Sequence, residues 1–241
     1  MLKAKKKIKK KELKKDPFFE KIDESFRFYK KNQQVIIISL LIIILMILIG
    51  WYYFNSQNKK NEEAAGQFGI AQFYLSGQQY KNATEKFEEV NELYSGTKYG
   101  NLTLYYLGYI NYNQNKFEKA IEYFNDYLDK NCDDNVINGA AYNGLAKIYE
   151  GKVEFLKAGV NYKSAYEATP LEFKKIEYAF QSIDCLIKAK EYEKANKLIT
   201  RVKNEHELND LQSDKIKSFR IILGIKNNSL KYLDFQKVFV Y

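Results

Sequence analysis

One histidine and two cysteines are all that this 241-residue chain offers for metal ligation or thiol chemistry. His206 stands in Glu205-His206-Glu207, a charged run that reads as solvated surface. Cys132 and Cys185 lie 53 residues apart and form no pair at metal-ligand spacing, so no zinc site is expected. A pair of cysteines can bridge in an oxidising compartment. By the repeat register below, however, these two fall in non-adjacent repeats, so two unrelated core thiols are expected. The chain has no G-x-S-x-G, no phosphate loop and no HExxH. It is read as a non-enzyme, with no catalytic residues, no cofactor and no small-molecule substrate. The residue type present in excess is tyrosine, at 21 copies. Tyr105, Tyr109 and Tyr112 recur at i, i+4, i+7, one face of a helix. A rigid apolar ring with a polar tip suits contact with a protein partner. The same spacing serves ordinary packing between helices, and both readings stand.

The elements that must hold those tyrosines are announced by a repeat. Gln79-Tyr80-Lys81-Asn82-Ala83 returns as Lys116-Phe117-Glu118-Lys119-Ala120, then as Glu154-Phe155-Leu156-Lys157-Ala158 and Glu191-Tyr192-Glu193-Lys194-Ala195. The alanines are separated by 37, 38 and 37 residues. A fixed period in this range signals stacked helical hairpins, because one hairpin cannot cover its own apolar face. Helix pairs are expected near 62–77 with 80–94, 97–113 with 117–130, 135–150 with 154–168, and 172–189 with 192–203. A capping helix is expected near 210–226, and the tail 227–241 either docks back or frays. Gly96 suits a helix C-terminus followed by Thr97 as N-cap.

The pattern resembles the tetratricopeptide repeat. The second repeat carries Leu107-Gly108, Ala120 and Phe124, and the third Leu145-Ala146, Tyr149, Ala158, Tyr162, Ala165 and Pro170. The first keeps Ala71, Ala83 and Phe87. The fourth departs most, with Ile183 in place of the small residue and Ile199 in place of the aromatic. The resemblance implies an all-α solenoid of about four hairpins whose first helices line a concave groove. Counted from the aligned alanines, the protein-binding positions are Phe68, Tyr105, Tyr109, Tyr112, Asn143, Lys147 and Phe180.

Ahead of the repeats lies Val35–Phe54, 20 residues without a charge. As a helix it spans about 30 Å, the thickness of a bilayer's hydrocarbon core. It closes on Trp51, Tyr52, Tyr53 and Phe54, rings of the kind that settle at a membrane interface. The run is too long for a secretory signal and has no small-residue cleavage site after it. Residues 1–34 hold 13 basic and 5 acidic residues, a net of +8, whereas the rest of the chain contributes only +1 to the total of +9. Positive charge flanking a membrane segment stays in the cytoplasm. The expected organisation is a basic cytoplasmic tail over 1–34, an anchor over 35–54, a polar linker over 55–61, a repeat domain over 62–226 and a tail over 227–241. In the first segment Asp16-Pro17 reads as a helix start. Phe18, Ile22, Phe26 and Tyr29 then share one face, as in a short amphipathic helix on the inner leaflet. A solvated tail with scattered aromatics is the other reading. Nine lysines in the first 15 residues are suited to anionic lipid. No basic, aromatic-interleaved face for nucleic acid is present in residues 60–226.

This organisation resembles the YfgM-type proteins, ancillary subunits of the bacterial SecYEG translocon. The stretch Leu93-Tyr94-Ser95-Gly96-Thr97-Lys98-Tyr99-Gly100-Asn101-Leu102 is similar to that family's junction between its first and second repeats. The resemblance implies a single-pass inner-membrane protein with a periplasmic repeat domain. Its partners would be SecYEG, a membrane-anchored periplasmic prolyl isomerase, or emerging chains. A membrane-anchored scaffold for envelope assembly, without translocon contact, is the alternative.

Overall fold

The structure is a computed structural model that describes the backbone of residues 17–238 and, Asp23 apart, the side chains of residues 21–224. The lysine-rich residues 1–16, the side chain of Phe18 and the side chains of the tail from 227 on lie outside the described residues. Among the described residues the chain forms nine helices and no strand. They are α1 (Pro17–Ser76), α2 (Tyr80–Leu93), α3 (Lys98–Asn113), α4 (Phe117–Asp129), α5 (Asn135–Gly151), α6 (Phe155–Ala168), α7 (Glu172–Lys188), α8 (Tyr192–Glu205) and α9 (Asp210–Val238). The contacts divide the chain into two units, Met1–Asn58 and Lys59–Tyr241.

In the first unit the helix leaves helical geometry at Asn32 (φ −114°, ψ 17°), whose side-chain amide donates to the Phe28 carbonyl at 3.1 Å. The break falls three residues before the apolar run that begins at Val35. Ile22, Phe26 and Tyr29 are exposed, as are most of the large apolar side chains between Val35 and Ile49. Trp51, Tyr52, Tyr53 and Phe54 also face outward. This segment is long and apolar enough to cross a membrane. The polar stretch 55–61, expected as a linker, is helical: α1 runs through it, and the boundary between the two units falls within it, between Asn58 and Lys59. It holds neither proline nor glycine, and extending a helix already nucleated costs little.

The second unit is built from four hairpins with one shared hinge. Gln78, Asn115, Val153 and Lys190 all adopt left-handed φ, at 57°, 58°, 63° and 63°. Each stands five residues before a repeat alanine. The backbone N–H of each residue bonds to the carbonyl three back, from Gln78 to Leu75 (2.9 Å) through Lys190 to Ile187 (3.0 Å). The next N–H bonds to the carbonyl five back, from Gln79 to Tyr74 (2.9 Å) through Glu191 to Leu186 (2.8 Å). This pair of bonds is the Schellman closure, and it satisfies carbonyls that a helix end leaves open. The turn reverses the chain within three residues and starts the second helix in register every time.

Packing follows from the register. Ala83, Ala120, Ala158 and Ala195 are wholly buried, and one turn later Phe87, Phe124, Tyr162 and Ile199 fill the core. Phe124 shows how tight the fit is. A Cβ on Gly108 of α3 would lie 2.7 Å from its ring, and one on Gly144 of α5 would lie 2.6 Å from it. The ring is held between two backbones that only glycine lets so close. Thr97 caps α3, accepting from the Gly100 N–H at 3.0 Å, and Gly96 before it takes φ 82°. At the far end α9 closes the fourth repeat with Ile216, Phe219 and Leu223. Its helix continues to Val238, beyond the expected limit near 226. Both cysteines are free thiols, Cys185 buried and Cys132 half-buried.

Candidate protein-binding site

The tyrosines of α3 divide by orientation. Tyr105 and Tyr109 line a cleft of about 660 Å³ together with Tyr106, Tyr80 of α2, Gln72 and Leu75 of α1, and Ile137 of α5. No charged side chain lines it. Tyr109 is 42% exposed, the open member of the group. Tyr105 is half-buried, its ring edge-on to Tyr106 at 5.1 Å and 5.9 Å from Phe124. Burial first, and then the neighbouring phenols of Tyr106, Tyr109 and Tyr178, push its hydroxyl up to about 12. The Tyr106 hydroxyl accepts from the Gln72 side-chain amide at 3.0 Å, which ties the end of α1 to α3. The cleft therefore presents apolar ring walls tipped with neutral donors and acceptors. Such a lining offers apolar ring contact and neutral hydrogen bonding, and none of its side chains is charged.

The other expected groove positions scatter. Tyr112 is half-buried beside Phe117, ring centroids 6.1 Å apart, and points away from the cleft. Phe68 is 4% exposed and sits among Phe87, Tyr99 and Tyr106 at 5.3–5.5 Å. Phe180 is 7% exposed and packs edge-on against Phe219 of α9. Both phenylalanines are core residues here, because a neighbouring helix covers the face that an isolated hairpin would leave open. Asn143 is half-buried and its enclosed Oδ1 has no protein hydrogen-bond partner. Lys147 is exposed. Tyr80, Tyr106 and Gln72 were missed. Tyr106 carried a signal, since it adjoins Tyr105 at the helix's crowded middle, but Tyr80 and Gln72 belong to helices that meet α3 only in the folded array.

His206 is also not where its charged neighbours suggested. Its side chain is only 6% exposed. It caps α8 and folds back so that Nδ1 meets Glu172 of α7 and Nε2 lies 3.0 Å from the Tyr166 hydroxyl of α6. Tyr166 in turn donates to Glu205 at 3.0 Å. Arg201 of α8 clasps both Glu205 (3.0 Å) and Glu167 of α6 (2.7 Å) and lies over the Tyr166 ring. Burial, and then the bond to Glu205, push the Tyr166 phenol up to about 12. Arg201 first, and Tyr166 second, hold the Glu205 carboxyl below its ordinary range. The cluster fastens the fourth hairpin to the third. Cys185 is likewise structural: burial, with Glu150 adding to it, pushes its thiol up to about 12, away from the thiolate that nucleophilic chemistry needs.

Comparison with curated proteins gives no match. A family model, the Tetratricopeptide repeat-like domain, matches residues 27–158, more than half of the chain. The match begins ahead of the apolar run and continues through two hairpins and α5 to the first turn of α6. Domains of this kind are typically non-catalytic interaction modules, in keeping with a solenoid whose cleft is lined by neutral rings. The chain belongs to the tetratricopeptide repeat-like domain family.

Proposed function

We propose that this chain is a membrane-anchored module that captures protein partners on the outer face of a bacterial inner membrane, as an ancillary subunit of the translocon of the YfgM type. In this reading residues 1–34 stay in the cytoplasm against anionic lipid and residues 35–54 cross the bilayer. The repeat domain, 62–226, stands in the periplasm. The observation that carries the topology is the charge balance, +8 before the apolar helix and +1 after it. The observation that supports capture is the uncharged tyrosine cleft in an interaction-type repeat array. Tyr105, Tyr109 and Tyr106 are the contact residues, with Asn143 and Lys147 further along the array. Crosslinking in intact membranes, followed by purification in detergent, tests the assignment. Recovery of SecY-type proteins and a membrane-anchored prolyl isomerase supports it. Recovery of envelope-assembly proteins alone favours the scaffold reading instead.

A further inference from the structure

Four tyrosines wall the cleft of about 660 Å³, Tyr80 of α2 and Tyr105, Tyr106 and Tyr109 of α3. Among the described residues none of their hydroxyls donates to a protein acceptor. The Tyr106 hydroxyl accepts from Gln72, and that bond leaves its own hydrogen free. The only carbonyl acceptors among the lining side chains are those of Gln72 and Gln78, both exposed. The lining therefore combines ring faces with a surplus of neutral donors.

Such a lining selects among polypeptide conformations. A partner helix spends its carbonyls on its own N–H groups. A partner strand is held by the open edge of a sheet, and the described residues form no strand. A polyproline II segment has no internal hydrogen bonds, so its carbonyls are free to accept. Proline supplies a carbonyl without an N–H, which suits a cleft richer in donors than in acceptors. Its ring is apolar and packs on an aromatic wall. Its fixed φ also lowers the ordering cost of docking an extended chain. Charge points the same way. With no charged side chain in the lining, a charged residue entering the cleft would lose water and gain no counter-charge.

We infer that captured partners enter the tyrosine cleft through a neutral, proline-rich segment in the polyproline II conformation. Its rings pack on Tyr105 and Tyr109, and its carbonyls accept from the phenols of Tyr80, Tyr106 and Tyr109. This deepens the reading of the cleft as the capture surface and rests on it.

The test uses the full chain in detergent micelles, with fluorescein-labelled decaproline and a labelled Gly-Ser peptide of equal length. Fluorescence anisotropy should show decaproline binding, the Gly-Ser peptide not binding, and no weakening as salt rises, since no ion pair forms. Tyr109→Ala should weaken decaproline roughly tenfold or more, with helical circular dichroism retained. Tyr109→Phe should weaken it roughly threefold, the loss of one neutral hydrogen bond. Phe173→Ala removes an exposed ring on α7, outside the cleft, and should change nothing. Unlabelled decaproline should also compete with crosslinked partner capture in membranes. Failure of decaproline to bind, binding no better than that of the Gly-Ser peptide, or binding indifferent to Tyr109→Ala overturns the proposal. If capture falls with Tyr109→Ala while decaproline does not bind, the cleft keeps its role and only the proline-rich partner is excluded. Capture undiminished by Tyr109→Ala overturns both.

Discussion

Val153 occupies a left-handed backbone position with a β-branched side chain that is 66% exposed. Its three counterparts are Gln78, Asn115 and Lys190, and of these asparagine tolerates that conformation best. The strain at such a position is roughly 1–2 kcal/mol, and an exposed valine recovers little of it by burial. Val153→Asn should therefore stabilise the domain by about 1 kcal/mol, seen as a raised denaturation midpoint with an unchanged slope. A fall in the midpoint would mean that valine's side chain contributes packing the exposure does not reveal. These hinge residues were not legible in the sequence. They share no residue type, and what they share is a pair of backbone hydrogen bonds imposed by the length of the turn. His206 was misread for a related reason. Its local neighbours are charged, but the groups that bury it, Tyr166 and Glu172, come from 40 and 34 residues away.

At the scale of the element, helix bounds were the most readable part of the chain. The 37- and 38-residue spacing of the alanines located all four hairpins to within a few residues, because each alanine is a small, wholly buried residue at a fixed distance from its hairpin turn. The contact of Phe124 with Gly108 and Gly144 extends that logic from within a hairpin to between hairpins. Gly144→Ala puts a methyl group 2.6 Å from the ring, and Phe124 has Gly108 behind it, so it cannot retreat. Overpacking of this kind costs roughly 1–3 kcal/mol, although alanine is the better helix former. Chemical denaturation should show a loss of that size for Gly144→Ala, and little change for Gly151→Ala, where an added Cβ meets nothing within 4 Å. Equal behaviour of the two would show that the ring has room. The helical state of the polar stretch 55–61 was not legible, since polar composition marks exposure and not the absence of a helix.

At the scale of the whole molecule, four tyrosines tie stability to pH. Burial pushes the phenols of Tyr105 and Tyr166 up to about 12 and those of Tyr127 and Tyr162 higher still. The unfolded chain ionises near pH 10, so the fold holds protons that the unfolded state releases. The stability these groups contribute is whole below about pH 10 and is lost as pH rises from there toward their folded values. Tyrosinate absorbance from these four rings should rise only together with the loss of helical signal. Ionisation of these rings completed before the helix melts would contradict their burial. The solenoid itself was legible, as was the long apolar helix ahead of it. The candidate cleft was legible only in part. Counting from the alanines finds the first helix of each hairpin but not which of its residues the next hairpin will cover, and Phe68 and Phe180 are covered.

The central claim is that the tyrosine cleft captures protein partners, and Tyr109 tests it most directly, since it is open to solvent and lines the cleft. Tyr109→Ala should be made in the full chain and measured twice, by thermal melting in detergent and by crosslinked partner capture in intact membranes. The account predicts a midpoint close to that of the unaltered protein and a marked loss of captured partner. Burying an aromatic ring and then truncating it costs roughly 3–5 kcal/mol, which in a domain of this size lowers the midpoint by many degrees. A large fall in the midpoint, or capture undiminished at an unchanged midpoint, would contradict the assignment.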